Sequence, residues 1–198
     1  MIAYCINLPE RQQKWNNVYK EFLRLPFNVL KYNAHKTSPG WEGCRQSHLG
    51  VLEHAIDNYK GEIIAVFEDD LQWNVSQPWH EIEKCMKDLP LDWDMLYLGA
   101  TLTQDLIPYT RNLYRLKRAW TTHAMIMNPQ NGLFEFILEN NGGGRKIDVF
   151  YADVVQEKFK CYISNPMIAI QRDGYSDILN KNVNNGMIIK DYFKRHAK

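Results

Sequence analysis

The sequence predicts an α/β domain with a mixed, mostly parallel central sheet flanked by helices. Apolar runs of strand length alternate with amphipathic runs of helix length, the pattern that builds parallel sheets. The clearest apolar run, residues 62–67 (EIIAVF), leads straight into Glu68-Asp69-Asp70. Sheets of this kind bind ligands at the carboxyl ends of their strands, so that acidic run is where a site is expected. A chain of 198 residues suits one domain with a sizeable core. We assign residues 1–178 to that domain and read residues 179–198 as a polar, basic tail.

The elements follow in order. Residues 2–8 (IAYCINL) read as a buried strand. Pro9 and Glu10 open a helix in which Trp15, Val18, Tyr19, Phe22 and Leu23 fall at helical spacing, and it ends before Pro26. FNVLKYNA reads as a second strand and HKTSPGWEG as a loop. From Cys44 a helix carries His48, Val51, Leu52, Ala55, Ile56 and Tyr59 on one face, with Gly61 as its stop. Residues 62–67 are the next strand, residues 78–89 a helix, and residues 94–99 a strand. Residues 100–125 read as irregular or hairpin-like. Pro129 starts a helix carrying Leu133, Phe134, Ile137 and Leu138. Gly142-Gly143-Gly144 is a break, either a plain connector or a loop that moves over a ligand. A helix over 148–159 and the strands CYIS and MIAIQ complete the domain.

A formal net charge of +1 gives no electrostatic case for a nucleic-acid binder. Aromatic residues make up 13% of the chain, which serves sugar or base stacking as well as core filling. Cys5, Cys44, Cys85 and Cys161 are scattered, with no CxxC pair and no His read at a ligand-like spacing from them. That pattern argues against a zinc site and against a disulfide framework, and fits a reducing compartment. The opening apolar run is too short for a signal peptide or a membrane span. The expected location is therefore the cytoplasm. The basic ending FKRHAK is either a solvated tail or a peripheral contact with an acidic membrane surface.

AVFEDDL is the motif that carries chemistry. At a strand tip, Glu68 and Asp70 point to one side and Asp69 to the other. Converging carboxylates repel each other unless a cation lies between them, and Mg²⁺ or Mn²⁺ suits oxygen ligands. Such an ion bridges the diphosphate of a nucleotide donor and offsets the charge that builds on it. On its own the motif equally fits phosphoryl transferases and nucleases, or a solvated acidic turn.

INLPERQQKW, GCRQSHLGVLEHAI and AVFEDDL, in this order, resemble glycosyltransferase family 25, which includes bacterial lipopolysaccharide and collagen hydroxylysine galactosyltransferases. AWTTHAMIMNP, IDVFYADV and NPMIAIQRDGYSDI extend the resemblance over nearly the whole chain, apart from about residues 100–118. The resemblance implies a GT-A-like fold and an inverting transfer of galactose or glucose from a UDP-sugar, with Mn²⁺ or Mg²⁺ as cofactor. It implies Glu68 and Asp70 as metal ligands, and Asn7, Leu8, Arg11, Gly43, Ser47, His48 and Asp69 around the nucleotide-sugar. The start of the His48 helix offers free N–H groups to an anion, although His48 also lies on that helix's apolar face and Cys44 reads as packing. Asp148 is the first choice for general base and Asp153 the second; each also reads as ordinary helix chemistry, Asp148 as an N-cap. Trp120, His123, Gln171, Ser176 and Asp177 fall on the acceptor or lid side. The acceptor is a glycan, a lipid-linked or protein hydroxyl, or a nucleic-acid base.

Pro9 stands where the family more often has a charged residue, and the region before Trp120 is compact. Two other readings fit the same acids. A nucleotidyl or phosphoryl transferase would use the same acids, but no GxxxxGK or GxGxxG loop occurs. A non-catalytic sugar- or nucleotide-binding module on the same scaffold would not need Asp148.

Overall fold

The structure is a computed structural model that describes residues 1–141, 143–176 and 181–183. The first half runs β1 (Ile2–Asn7), α1 (Gln12–Phe22), β2 (Val29–Asn33), α2 (Gly40–Asn58), β3 (Ile64–Glu68), β4 (Leu71–Trp73), α3 (Pro78–Asp88) and β5 (Met95–Tyr97). Short strands follow: β6 (Thr101–Leu102), β7 (Ile107–Pro108), β8 (Leu113–Arg115) and β9 (Ala119–Trp120), then β10 (Ala124–Met127). A 3₁₀ turn (Pro129–Asn131) precedes α4 (Leu133–Asn140). Next come α5 (Ile147–Phe150), a π-helical stretch (Tyr151–Val155), α6 (Gln156–Lys158), β11 (Cys161–Ser164), β12 (Ala169–Gln171), β13 (Gly174–Ser176) and β14 (Lys181–Val183).

Eight of these strands form one sheet in the order β2-β1-β3-β10-β5-β11-β8-β7. β1 pairs in parallel with β2 and β3, and β5 in parallel with β11, while β10 and β8 run against their neighbours. The sheet is therefore mixed and mostly parallel, as the sequence predicts. Because β1 is flanked on both sides by strands that follow it, its carboxyl end lies where the strand order reverses, and crevices open at such points.

Side-chain alternation along β3 explains the layers. Ile64 and Val66 pack into a core shared with α2, α4 and α5, and Ala65 and Phe67 into a second core shared with α1, α3 and β4. A strand covered on both faces reads as a continuous apolar run, which is why this segment stands out in the sequence. Full burial of a residue such as Phe67 is worth about 1.5–3 kcal/mol.

Several elements differ from the sequence reading. The segment expected as a loop before Cys44 is helical from Gly40 onward. α1 begins at Gln12, after a turn closed by the Arg11 N–H on the Leu8 carbonyl at 2.8 Å, and not at Pro9. β4 lies within a stretch given no strand, and the central strand β10 begins inside the stretch read as irregular or hairpin-like and runs on past it. The helix expected over 148–159 is interrupted by its π-helical stretch. Within the expected tail, Lys181–Val183 pair with β13 as β14, and residues 184–198 lie outside the described residues. Among the described residues, no helix is long and apolar enough to cross a membrane.

Candidate active site

Glu68 is the last residue of β3, and Asp69 and Asp70 form the turn into β4. The strict strand alternation expected through Asp70 therefore stops at Glu68. Each acid instead meets its own partners. Glu68 Oε1 accepts from the Thr122 hydroxyl at 2.6 Å and lies 3.1 Å from His48 Nε2, which leaves Oε2 out of both bonds. Burial raises the Glu68 pKa, but these bonds and the positive potential of His48 outweigh it, and the carboxyl sits below its ordinary range. Asp69 accepts from Asn7 Nδ2 at 2.8 Å and faces Lys14 Nζ at 3.5 Å; burial nevertheless moves it upward.

Asp70 is the outlier of the three. Its Oδ2 accepts from Gln171 Nε2 at 3.3 Å, and its backbone carbonyl accepts from the Arg172 N–H at 2.6 Å. Its Oδ1 is buried with no hydrogen-bond partner, as is Asn7 Oδ1. Burial first, then the charges of Glu68 and Asp69, push its pKa up to about 8. A buried carboxylate oxygen without a donor is costly, and a bound cation removes that cost. On this test the donor set fits a hard divalent cation.

Asp148 joins the same electrostatic neighbourhood from α5. It lies inside the helix, behind Lys146 at the N-cap, which replaces the N-cap reading. Its Oδ1 accepts from the Val149 N–H at 2.9 Å, and burial, with a further push from the Glu68 charge, raises its pKa. Asp153 stands apart on the π-helical stretch, where Arg118 grips Oδ1 through Nε at 3.0 Å and Nη2 at 2.8 Å.

The remaining candidates divide by surroundings. Asn7 and Asp69 meet, and Arg11 offers its carbonyl to Asn7 Nδ2 at 3.4 Å, so the turn from Leu8 to Arg11 borders the acids. Ser47 is fully buried between the Gly43 carbonyl at 2.6 Å and the His35 N–H at 2.8 Å. Gly43 faces the His35 carbonyl so closely that any Cβ would collide with it. Both residues therefore fix α2 against the segment after β2. His123 is buried behind Glu68, whose N–H bonds its carbonyl at 3.0 Å; burial lowers its pKa to about 4 and keeps it neutral. Trp120 is 39% exposed, with the Arg118 guanidinium 5.4 Å from its ring centre. The next residue, Thr121, holds φ at 72°, a strained value for a β-branched residue, which fixes how the chain turns from Trp120 to Thr122. Asp177 and the Ser176 side chain lie outside the described residues.

Sequence reasoning missed Thr122, Lys14 and Tyr151. Thr122 lies in the AWTTHA run, beside His123, which the sequence reading places on the acceptor or lid side. The reading also found no His at ligand spacing from a cysteine, yet Cys44 and His48 stand one helical turn apart on α2, beside Glu68.

No known family profile matches the chain. A mimivirus protein (Acanthamoeba polyphaga mimivirus) named "Putative glycosyltransferase R655" is 29% identical over 113 residues. That stretch is 56% of this chain and 35% of the relative, so the chain spans about a third of that protein's length. In fold, the chain resembles a PBCV-1 glycosyltransferase involved in glycosylation of the major capsid, with TM-score 0.51 and 8% identity over 94% of this chain and 97% of that one. It also resembles A197 from STIV, with TM-score 0.53 and 10% identity over 92% and 93% of the two chains. The α/β, GT-A-like architecture thus has solved counterparts that match it nearly end to end.

Proposed function

We propose that this protein is a glycosyltransferase that moves a hexose, galactose or glucose, from a UDP-sugar to an acceptor hydroxyl with inversion. The observation that carries the reading is the buried, partnerless Oδ1 of Asp70 beside the carboxyls of Glu68 and Asp69, with the Glu68 charge also acting on Asp148, at the sheet's reversal point. The similarity in sequence to a protein named as a glycosyltransferase supports it.

Glu68 and Asp70 would hold Mn²⁺ or Mg²⁺, which when bound offsets the charge of the donor's diphosphate. Asn7 and Arg11, beyond β1, border the nucleotide side with Asp69. His48 and Thr122 fix one Glu68 oxygen and leave the other free for a ligand. Asp148 takes the proton from the acceptor hydroxyl while that oxygen forms its bond to the anomeric carbon, and UDP leaves with the electrons of the broken bond. Its raised pKa makes it a stronger base than an ordinary carboxylate. Asp153 ranks behind it because its charge is already spent on Arg118. Trp120 offers an exposed ring to an acceptor sugar. The acceptor is a glycan or a lipid-linked or protein hydroxyl.

The test is UDP release from UDP-galactose and UDP-glucose, with and without an acceptor extract, in Mn²⁺ or in excess chelator. Release of UDP that requires metal and ceases in Asp70→Asn is expected. Equal release in chelator would refute the cation's part, and no release from any nucleotide-sugar would refute the transferase.

A further inference from the structure

Cys44 and His48 occupy one face of α2, one turn apart, and both meet Glu68 at the end of β3. One sulfur, one imidazole nitrogen and one carboxylate oxygen from these residues lie within 4.8 Å of one another. This is a different donor chemistry from the all-oxygen pair Glu68 and Asp70. We propose that Cys44, His48 and Glu68 form a site for a thiophilic divalent cation such as Zn²⁺ or Co²⁺.

Several features favour it. Sulfur, nitrogen and oxygen donors in a set of three suit a tetrahedral cation that keeps one open position. The open position has a neighbour ready for it. The Tyr151 hydroxyl is buried at 1% exposure and has no hydrogen-bond partner. Its ring stands edge-on to His48 at 6.4 Å between centres. A water on the fourth position would give that hydroxyl its missing partner. Burial first, then the negative charges of Glu68, Asp148, Asp70 and Asp69, push the Cys44 thiol well above its ordinary range; the same negative surroundings draw a cation in, and the cation supplies the charge a buried thiolate needs.

Cys44 gives its thiol proton to the buffer and its sulfur becomes a ligand as the thiolate. Nε2 of His48 must be free of its proton to coordinate, so the proton of its contact to Glu68 leaves to the buffer while Nδ1 keeps its own. Glu68 belongs to both donor sets, so a thiophilic cation and a hard one compete for it. The binding readout below uses the protein alone and so stands or falls separately from the transferase reading.

Co²⁺ titrated into the reduced protein tests the site by the near-ultraviolet sulfur-to-cobalt charge-transfer band. We expect a band that saturates at about one ion per chain and is abolished by added Zn²⁺. It should vanish in Cys44→Ser, with Zn²⁺ affinity falling about a hundredfold or more. Cys5, Cys85 and Cys161 remain in that variant as internal controls. Absence of a band in the native protein, or an undiminished band in Cys44→Ser, overturns the proposal. Should Cys44→Ser fail to unfold cooperatively, His48→Gln takes its place, and an unchanged band and affinity there overturn it equally.

Discussion

Asp94 precedes β5 at one end of the central sheet, and Asp70 follows β3 at the other. Asp94 is buried and complete: Oδ1 accepts from Asn131 Nδ2 at 2.8 Å and Oδ2 from the Lys160 N–H at 2.7 Å. Those bonds tie β5, β11 and the turn before α4 together. Asp70 has one long bond to Gln171, a buried oxygen with no donor, and two acidic neighbours. A groove of about 520 Å³ lies at the Asp94 end, beside Glu135, Phe136 and Lys158. Concavity alone therefore does not locate the chemistry. Unsatisfied buried polar atoms do, since folding leaves such atoms only where something else completes them.

Substitutions can break this contrast. Removing an Asp70 oxygen should have the largest effect: Asp70→Asn should cut transfer by about a thousandfold or more, worth about 4 kcal/mol, in a metal-saturated rate assay. The same change should stabilise the metal-free protein. The folded pKa of about 8 exceeds the ordinary value of 3.8, so the native protein without cation loses stability as pH rises from about 4 towards about 8. Each unit is worth about 1.36 kcal/mol, so the gain for Asp70→Asn at pH 7 has an upper bound of roughly 4 kcal/mol. Denaturant melts at pH 5 and pH 7 in chelator measure it, and an unchanged midpoint at pH 7 would refute a strained acid.

Asp94→Ala should do the reverse. It takes the partner from the Lys160 N–H and leaves Asn131 only its long bond to the Asp92 carbonyl, so stability should fall by about 1–3 kcal/mol while the response to Mn²⁺ survives in what remains folded. Asp148→Asn should lower turnover about a hundredfold, near 2.7 kcal/mol, with donor affinity unchanged. A loss of donor binding at constant turnover would move Asp148 to another role. Trp120→Ala, the mildest, should raise the acceptor KM about tenfold and leave donor hydrolysis alone.

Much of this contrast could be read in the sequence. The doubly covered strand before Glu68 advertises itself as an unbroken apolar run, and α2 as a periodic face. β10 does not, because Ala-Met-Ile-Met is apolar throughout and too short to separate strand from helix. β4 was hidden because its partner, β12, is distant in sequence. The acids were legible as a motif, yet their individual states were not. Thr122 and Gln171 reach Glu68 and Asp70 only through tertiary packing. The separation of Asp148 from Asp153 was likewise invisible until Arg118 was seen to hold the latter. Cys44 and His48 carry a spacing of one helical turn, but their third partner, Glu68, joins them only through tertiary packing.

The most direct test is the thermal stability of the protein with UDP, in Mn²⁺ and in chelator. A ligand that binds the native state raises its melting temperature, so UDP should do so with Mn²⁺ and fail in chelator, while GDP and CDP have little effect. Equal stabilisation by UDP in chelator, or the same metal-dependent response in Asp70→Asn, would contradict the account.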